Sequence, residues 1–428
     1  MKVHIRGGRL IDPANKTDAN LDLFIEDGKV VAQGDAPKGF VADQLIDAEG
    51  QIVCPGFVDL QAHLREPGFT QKGNIGSESA AAAAGGVTTL CCPPTTLPVM
   101  DSVAVVQLVQ ERAAEVGLTR VLPLAALTKG LEGEQLSNMV SLKEAGCVAL
   151  SNARKPIKSN QTLLRCLEYL ATYDLLMFVQ PQDYELSKNG CAHDGQMATV
   201  LGLPGIPEAA ETLDLARYLL LAEQTGARLH VGQLSTAHSL QMIADARSRG
   251  VKVTADVAIH HLLLTDENLE NYDSAYHLIP PLRGTRDREG LLKVLEEGGI
   301  QALCSDHQPQ DAAAKDAPFS ATEPGMTGLQ TLLPLSLRLV EQGRVSLNQM
   351  IALLTRGPAE VLGIERGQLG VGAEADVCIF APEQLWTLNE ETCVSKGLNT
   401  PYMNSTLKGR VNYTLLAGRV VFQAEQAH

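Results

Sequence analysis

Short apolar runs rich in β-branched residues alternate with longer segments rich in alanine, leucine and glutamate between residues 52 and 310. Eight of these runs are candidate strands, at 52–63, 87–93, 120–127, 147–152, 175–180, 228–234, 251–260 and 299–305. Strands that alternate with helices favour βα units around a parallel sheet. Eight such units predict an α/β fold with a closed (β/α)8 barrel of the TIM type.

The segments between these runs carry helix signals. An alanine-rich helix predicted at 77–84 stops at Gly85, and a second at 239–248 stops before Gly250. A third, predicted at 207–225, ends before Gly226. Glycine commonly follows the last turn of a helix because it accepts a left-handed backbone conformation. These helices are expected to form the outer ring of the barrel.

The two ends of the chain show a different pattern, with short alternating strands and a tight turn at Asp27-Gly28. The candidate strands lie at 2–5, 21–25, 29–32, 376–380 and 419–422. Residues 1–51 and 367–428 are therefore predicted to form one small β-sandwich domain. Residues 52–366 are predicted to form the barrel between them.

Composition narrows the possible functions. The chain has 50 acidic and 35 basic residues, a formal charge of −15, and 45% hydrophobic residues. Proteins that bind nucleic acids generally need a basic surface, which this balance does not favour. The sequence lacks an 18-residue apolar run and an N-terminal secretory pattern, so we expect a cytoplasmic protein without a membrane segment. The nine cysteines form no CxxC pair and are expected to be reduced and buried.

In a (β/α)8 barrel the active site is built at the carboxyl ends of the strands. Nearly every predicted strand ends in a polar residue, and six of these fourteen residues are amides, which are poor metal ligands. The fourteen residues are Gln61, His63, Arg65, Thr95, Asn152, Gln180, Gln182, Asp183, Gln233, His260, His261, Asp306, His307 and Gln310.

Five motifs along the chain point to one family. They are PGFVDLQAHLREPGF at 55–69, AAAAAGGVTTLCC at 80–92, VTADVAIHHLLLTD at 253–266, IPPLR at 279–283 and SDH at 305–307. Through them the chain closely resembles dihydroorotase, a metal-dependent amidohydrolase of pyrimidine synthesis. The resemblance extends over almost the whole chain and implies a barrel of the amidohydrolase kind.

The departures from this family are concentrated at the positions that the resemblance assigns to metal. Of six such positions, His63 and Asp306 keep a metal-binding residue. The others carry amides or alanine, at Gln61, Asn152 with Ala153, Gln180 and Gln233. Catalytic zinc needs about three good donors and an open position. We therefore predict that the chain holds no metal and that Asp306, the family's catalytic carboxylate position, is vestigial.

The positions that the resemblance assigns to substrate are altered as well. Arg65 is retained, but Thr95 and Ile279 stand where the family has asparagine, and Gln310 stands where it has histidine. A buried pocket that loses several hydrogen-bond partners binds a polar substrate poorly. No bound substrate is expected at these four positions.

The remaining residues have structural and functional interpretations. His63 and Asp306 are expected to form a structural hydrogen bond with each other, and Arg65 an ion pair with an acid such as Glu66. His260 and His261 are expected to pack at a strand end. Carboxylation of Lys155, as in related hydantoinases, is disfavoured because Lys155 lies in a loop without the histidines that would share a metal.

The resemblance implies a non-catalytic dihydroorotase homologue that serves as a structural subunit of bacterial aspartate carbamoyltransferase. Dimers of this chain would connect catalytic carbamoyltransferase chains in a hetero-oligomer, without a cofactor. Two alternatives stay open. One is an active amidohydrolase for dihydroorotate or another cyclic amide, with zinc held by His63, Asp306 and one of His260 and His261. The other is a sensor that binds a pyrimidine intermediate through Arg65.

Overall fold

The structure is a computed structural model that describes residues 1–425. Its strands are β1 (Lys2–Arg6), β2 (Arg9–Asp12), β3 (Thr17–Asn20), β4 (Leu23–Glu26), β5 (Lys29–Gln33), β6 (Gln44–Asp47), β7 (Ile52–Pro55), β8 (Phe57–Asp59), β9 (Val87–Cys92), β10 (Arg120–Ala126), β11 (Ala149–Ser151), β12 (Leu176–Val179), β13 (Ala192–His193), β14 (Gly205–Ile206), β15 (Arg228–Val231), β16 (Val253–Ala258), β17 (Ala302–Cys304), β18 (Val377–Leu388), β19 (Ser405–Leu416) and β20 (Arg419–Gln423).

The α-helices are α1 (Ile75–Ala84), α2 (Val103–Val116), α3 (Met139–Glu144), α4 (Asn160–Thr172), α5 (Tyr184–Ser187), α6 (Gln196–Leu201), α7 (Ala209–Thr225), α8 (Ala237–Ser248), α9 (Thr285–Glu296), α10 (Ala312–Lys315), α11 (Leu332–Glu341), α12 (Leu347–Leu354) and α13 (Arg356–Leu362). Short 3-10 helices lie at Lys129–Leu131, Ile259–Leu262, Asp266–Leu269, Ser274–Tyr276 and Phe319–Ala321. Within residues 1–425, none of the helices is long and apolar enough to span a lipid bilayer.

Eight parallel strands form the barrel in the order β8-β9-β10-β11-β12-β15-β16-β17. The first and last strands meet through a parallel bridge between Ala62 and His307. A hydrogen bond of 3.0 Å from Ser305 N to Asp59 Oδ1 joins the same two strand ends. The predicted (β/α)8 fold is confirmed.

The predicted first strand at 52–63 is in fact two strands that belong to different sheets. Strand β7 pairs with β18 and β2, so Cys54 lies opposite Cys378. Strand β8 begins the barrel after Gly56. A side chain at Gly56 would place its Cβ 2.2 Å from Thr88 Oγ1, which explains the need for glycine at the junction. The sheet of the small domain therefore extends past residue 51.

Both chain ends build the small domain, which contains two sheets. One has the order β5-β4-β1-β6, and the other has the order β20-β19-β18-β7-β2-β3. The sheets share a buried apolar core of Val3, Ile5, Leu10, Leu23, Ile25, Val30, Ile46, Ala48, Val53, Leu369, Ala375, Val377, Ile379 and Leu415. The β-sandwich architecture predicted from the two ends is present.

The helices differ from their predicted bounds mainly at their first turns. Helix α1 begins at Ile75, because Asn74 Oδ1 accepts a hydrogen bond of 2.8 Å from Ser77 N. Helix α8 begins at Ala237, after the capping residue Thr236. These caps satisfy backbone N–H groups that lack a partner within the helix. Helix α7 ends before Gly226, whose φ of 74° is left-handed, as predicted.

The cysteines lie mainly inside the protein. Eight of the nine are buried and Cys393 is half-buried, and all nine are free thiols. Burial raises the pKa of the Cys92 and Cys166 thiols to about 12. The prediction of burial is confirmed for eight of the nine cysteines, and Cys393 departs from it.

Candidate functional site

Gln233 is the central residue of the site at the carboxyl ends of the barrel strands. It follows β15, and its side chain is buried. Its Oε1 atom accepts hydrogen bonds of 2.7 Å from Arg154 Nη2 and 2.6 Å from Gln180 Nε2. Its Nε2 atom donates to the Asp306 carboxylate. One amide thus joins side chains that follow β11, β12 and β17.

The backbone at this site adopts conformations that are rare for residues other than glycine. The φ angles are 57° at Gln233, 46° at Asp306, 62° at Arg65 and 48° at Ala153. Such residues cost free energy and persist when their surroundings fix them. Gln233 is fixed in this way, because its backbone N–H donates to Asp256 Oδ1 over 2.7 Å. The unusual backbone directs side chains into the barrel mouth.

Arg154 is brought to the site by the turn after β11. Asn152 Oδ1 accepts a hydrogen bond of 2.7 Å from Thr128 Oγ1, and Asn152 Nδ2 donates to Lys155 O over 3.0 Å. Ala153 N donates to Ser151 Oγ over 2.9 Å. Asn152 therefore holds the turn rather than facing the other candidate residues.

Asp306 is buried and hydrogen-bonded on the side of its Oδ1 atom. Gln308 Nε2 donates to Oδ1 over 2.8 Å, in addition to the bond from Gln233. His260 Nε2 lies 3.9 Å from the other oxygen, Oδ2. Burial raises the pKa of Asp306 to about 7, although the charge of Arg154 and the bond from Gln308 oppose this rise.

His63 lies beside Gln61 and Thr95. The distance from Gln61 Nε2 to His63 Nε2 is 3.4 Å, and the distance from Thr95 Oγ1 to His63 Nδ1 is also 3.4 Å. Burial, followed by the charge of Arg65, holds the pKa of His63 well below its usual value. In the described part of the chain, no hydrogen bond joins His63 to Asp306, so that prediction is wrong. The amide of Gln233 bonds the carboxylate instead.

Arg65 does not form the expected ion pair with Glu66. Arg65 Nε donates to Pro309 O over 2.9 Å, while its buried Nη2 has no hydrogen-bond partner among residues 1–425. Glu66 instead accepts a hydrogen bond of 2.8 Å from Ile75 N and lies 3.7 Å from Arg112.

Among the other positions assigned to substrate, Gln310 has one buried side-chain atom, Oε1, without a hydrogen-bond partner in residues 1–425. Gln310 Nε2 donates to Pro324 O over 2.8 Å, and the Gln310 backbone N–H donates to Asn399 Oδ1 over 2.8 Å. Ile279 is half-buried and has no polar side-chain atom. Thr95 contacts His63. The structure therefore brings Arg65, Thr95 and His63 to one side of the barrel mouth.

His260 and His261 are buried and pack against each other, as predicted. Their ring centroids lie 4.6 Å apart. His261 Nε2 lies 3.2 Å from Pro280 O, and burial lowers the pKa of His260 to about 3. Lys155 is exposed. A carboxylated lysine that bridges metals must face the barrel interior, so the position of Lys155 does not suit that role.

Sequence reasoning missed a layer of buried carboxylates beneath these residues. Asp59 accepts from Ser305 N, and Asp256 bonds His230 Nε2 over 2.8 Å and Gln233 N over 2.7 Å. Glu211 accepts from the backbone of Ser235 and Thr236, and Glu78 bonds His307. An acidic residue inside an apolar strand, as in FVDLQ and VTADVA, is a signal that could have identified Asp59 and Asp256.

Comparison with known proteins identifies the family. Residues 50–239 match the model of dihydro-orotase-like proteins, and residues 311–422 match that of the amidohydrolase family. A dihydroorotase-like protein from Pseudomonas aeruginosa is 49% identical over 423 residues, which span 99% of this chain and 100% of the relative. The chain belongs to the dihydroorotase-like family.

Other relatives and solved structures agree with this family and fold. A dihydroorotase from Geobacter sp. (strain M21) is 42% identical over 427 residues, covering 99% of this chain and 100% of its own. The solved structure of an L-hydantoinase (dihydropyrimidinase) from Arthrobacter aurescens superposes with a TM-score of 0.87 at 23% identity, covering 100% of this chain and 97% of the hydantoinase. At that identity the similarity shows the fold alone.

A dihydroorotase-like fold implies a metal at the strand ends, and the residues of this chain do not fit one. Within residues 1–425, no three His, Cys, Asp or Glu side chains lie close enough together to hold a metal ion. The side chains around Gln233 include the guanidinium of Arg154, which is positively charged and has no lone pair to donate. A neutral amide is a poor ligand for zinc compared with imidazole or carboxylate.

Proposed function

We propose that this protein is a non-catalytic member of the dihydroorotase-like family. We further propose that it acts in the cytoplasm as a structural subunit needed for the assembly and activity of aspartate carbamoyltransferase in de novo pyrimidine biosynthesis. One observation supports the loss of catalysis above all others. The Arg154 guanidinium donates to Gln233 Oε1 over 2.7 Å, where the family's fold calls for metal ligands.

The chemistry of cyclic amide hydrolysis explains why this observation matters. A bound zinc ion lowers the pKa of water from about 15.7 toward 7 and so supplies hydroxide at neutral pH. The donors that would hold zinc are replaced by Gln61, Gln180 and Gln233. Asp306, which remains, is occupied by hydrogen bonds from Gln233 and Gln308. Hydrolysis is therefore not expected.

The scaffold around the site is retained. The eight-stranded barrel is complete, and the buried carboxylates beneath the site are hydrogen-bonded. A folded barrel without a working site is consistent with a role in assembly. The choice of the carbamoyltransferase catalytic chain as partner, and of dimers of this chain that connect such chains, rests on the resemblance stated above.

A mixing experiment tests this proposal. The purified chain would be assayed for dihydroorotate hydrolysis with and without added zinc, then mixed with the aspartate carbamoyltransferase catalytic chain of the same organism. We expect no hydrolysis and the formation of a larger complex by multi-angle light scattering, with carbamoyltransferase activity that depends on this chain. Hydrolysis by the chain alone, or no change in mass on mixing, would contradict the proposal.

A second candidate function is an active metal-dependent amidohydrolase with an altered site. It is favoured by relatives named dihydroorotase that are 42% identical along the whole chain. This function predicts close to one zinc or manganese ion per chain in protein purified without chelators. Fewer than about 0.2 ions per chain would exclude it, since catalytic zinc is normally retained by its three protein ligands.

A further inference from the structure

We infer that Arg154 is a part-buried cation that takes over the structural role of the family's metal, because it holds Gln182 and Gln233 directly and reaches Asp306 through Gln233. The inference shares with the proposed function the premise that the native chain holds no catalytic metal. It goes further by assigning the positive charge at the barrel mouth to a residue of the chain. Arg154 is a positioning residue in this scheme.

The guanidinium contacts the side-chain oxygens of two residues, which follow β12 and β15. Arg154 Nη2 lies 2.7 Å from Gln233 Oε1, and Arg154 Nη1 lies 3.5 Å from Gln182 Oε1. Gln180 Nε2 donates to the same oxygen of Gln233 over 2.6 Å. The amide of Gln233 in turn donates to Asp306. Residues after β11, β12, β15 and β17 are thereby connected through Arg154 and Gln233.

The charges at the barrel mouth agree with this role. Gln233 links the Arg154 guanidinium to the Asp306 carboxylate, so a cation and a carboxyl group lie at opposite ends of one amide. A metal ion likewise places its positive charge among carboxylate and imidazole side chains. Removing one member of a buried pair of charges leaves the other uncompensated, so Arg154 is expected to stabilise Asp306 in the folded state.

The turn that carries Arg154 is built to place it. Asn152 bonds Thr128 and the backbone, and Ala153 adopts a φ of 48°. Asn152 and Ala153 stand where the family has its strand-four carboxylate ligand. This turn thus both lacks the carboxylate ligand and carries the arginine. A zinc ion and the Arg154 guanidinium would compete for the same oxygen and nitrogen donors.

The test measures zinc affinity in a chain whose donors are restored. Gln61→His, Gln180→His and Gln233→His would be combined, with His63 and Asp306 left unchanged. The dissociation constant for zinc would be measured by competition with a chromophoric chelator. We expect that adding Arg154→Ala to this triple variant raises zinc affinity at least tenfold. Arg249→Ala, which removes an exposed arginine paired with Glu223, is the matched control and should leave affinity unchanged.

A second measurement applies to the native background and does not depend on the triple variant folding. Arg154→Met should lower the melting temperature by about 2–4 °C. The shift should be smaller when Asp306→Asn is already present, because the partner charge is gone. Arg154→Lys should restore part of the loss, since it keeps the charge.

The outcomes separate this inference from the proposed function. Equal zinc affinity with and without Arg154, or fully additive melting shifts for Arg154→Met and Asp306→Asn, would overturn the inference and leave the proposed function standing. Zinc bound by the unaltered chain at close to one ion per molecule would overturn the proposed function directly. Tighter zinc binding only after Arg154 is removed would support the inference.

Discussion

The Nε2 atom of His307 donates a hydrogen bond of 2.8 Å to Glu78 Oε2, and both side chains are completely buried. His307 Nδ1 accepts from Gly328 N over 3.1 Å, which fixes the tautomer. Glu78 also accepts from Ser395 Oγ over 2.6 Å and from Lys396 N over 3.2 Å. One carboxylate thus connects α1, the end of β17 and the loop that follows β18.

Replacement of Glu78 by glutamine should weaken this connection. Burial opposes ionisation of Glu78, but the hydrogen bonds, led by that from His307, lower its pKa below the usual value. We expect Glu78→Gln to reduce the free energy of unfolding by about 2–3 kcal/mol, the typical worth of a hydrogen bond to a charged group. Urea unfolding measures this loss.

An exposed glutamate provides the control. Glu115 pairs with Arg112 on the surface, and its side chain is 68% exposed. Glu115→Gln should change the free energy of unfolding by less than about 0.5 kcal/mol, because exposed pairs contribute little. Equal losses in the two variants would show that the buried carboxylate does not connect the three segments as described.

Gln61→His alone should restore no hydrolysis of dihydroorotate. The change returns one imidazole beside His63, but Gln180 and Gln233 would still lack good donor atoms, and Arg154 would remain bonded to Gln233. The rate of dihydroorotate hydrolysis would be measured with added zinc for Gln61→His and, as a positive control, for an active dihydroorotase of the family. Hydrolysis above the buffer rate by the single variant would mean that the lost donors are not what abolishes the reaction.

Acid should destabilise the protein through His277. Burial, followed by the charge of Lys315, lowers the pKa of His277 from 6.5 to about 4. Between these two values the unfolded chain binds the proton more tightly than the folded chain, so stability is full above pH 6.5 and is lost as the pH falls toward 4. The full loss should reach about 3–4 kcal/mol, at 1.36 kcal/mol for each pKa unit between the two values.

The difference between the native chain and His277→Gln isolates this contribution. The other ionisable groups are the same in both proteins, so the slope of unfolding free energy against pH is compared rather than its absolute value. The variant should lose less stability between pH 7 and pH 4.5. Identical slopes would mean that His277 does not resist protonation in the folded state.

Gly56→Ala should lower the free energy of unfolding, because the chain passes close to β9 at the junction of the two domains. The added Cβ would lie 2.2 Å from Thr88 Oγ1 and 2.3 Å from Thr88 Cγ2. We expect a loss of about 1–3 kcal/mol, as for other overpacked sites. Thermal unfolding of Gly56→Ala, Thr88→Ala and the double variant measures it. Thr88→Ala removes the two closest atoms but keeps Thr88 Cβ at 2.8 Å, so it should relieve part of the loss. Purely additive effects would contradict this account.

The sequence was sufficient to predict the barrel, because eight apolar runs alternate with helical segments. It was also sufficient to predict that Gln61, Gln180 and Gln233 lie at the carboxyl ends of the barrel strands. It did not predict that the run at 52–63 divides between two sheets, since β7 and β8 are both fully buried and look alike as a pattern. The predicted hydrogen bond between His63 and Asp306 was wrong because side-chain partners depend on three-dimensional position, which the sequence pattern does not give.

The role of Arg154 could not be predicted for a related reason. Its entry into the site depends on the left-handed backbone at Ala153, and alanine gives no sequence signal for that conformation. Gln233 and Asp306 also have a left-handed backbone that their residue types do not indicate. Backbone conformations that are fixed by surrounding contacts, such as the bond from Gln233 N to Asp256, become visible only in the folded chain.

Strand β7 lies between β2 and β18, so its two neighbours come from opposite ends of the chain. During synthesis on a ribosome, strand β7, which contains Cys54, can pair with β18 only after residues around Cys378 have been synthesised. Until then, that edge of β7 has no partner strand. The barrel, in contrast, can close once β17 and residues 305–307 have emerged. We therefore expect a nascent chain released before residue 377 to hold a folded barrel beside an exposed strand edge, the kind of surface that chaperones and aggregating partners recognise.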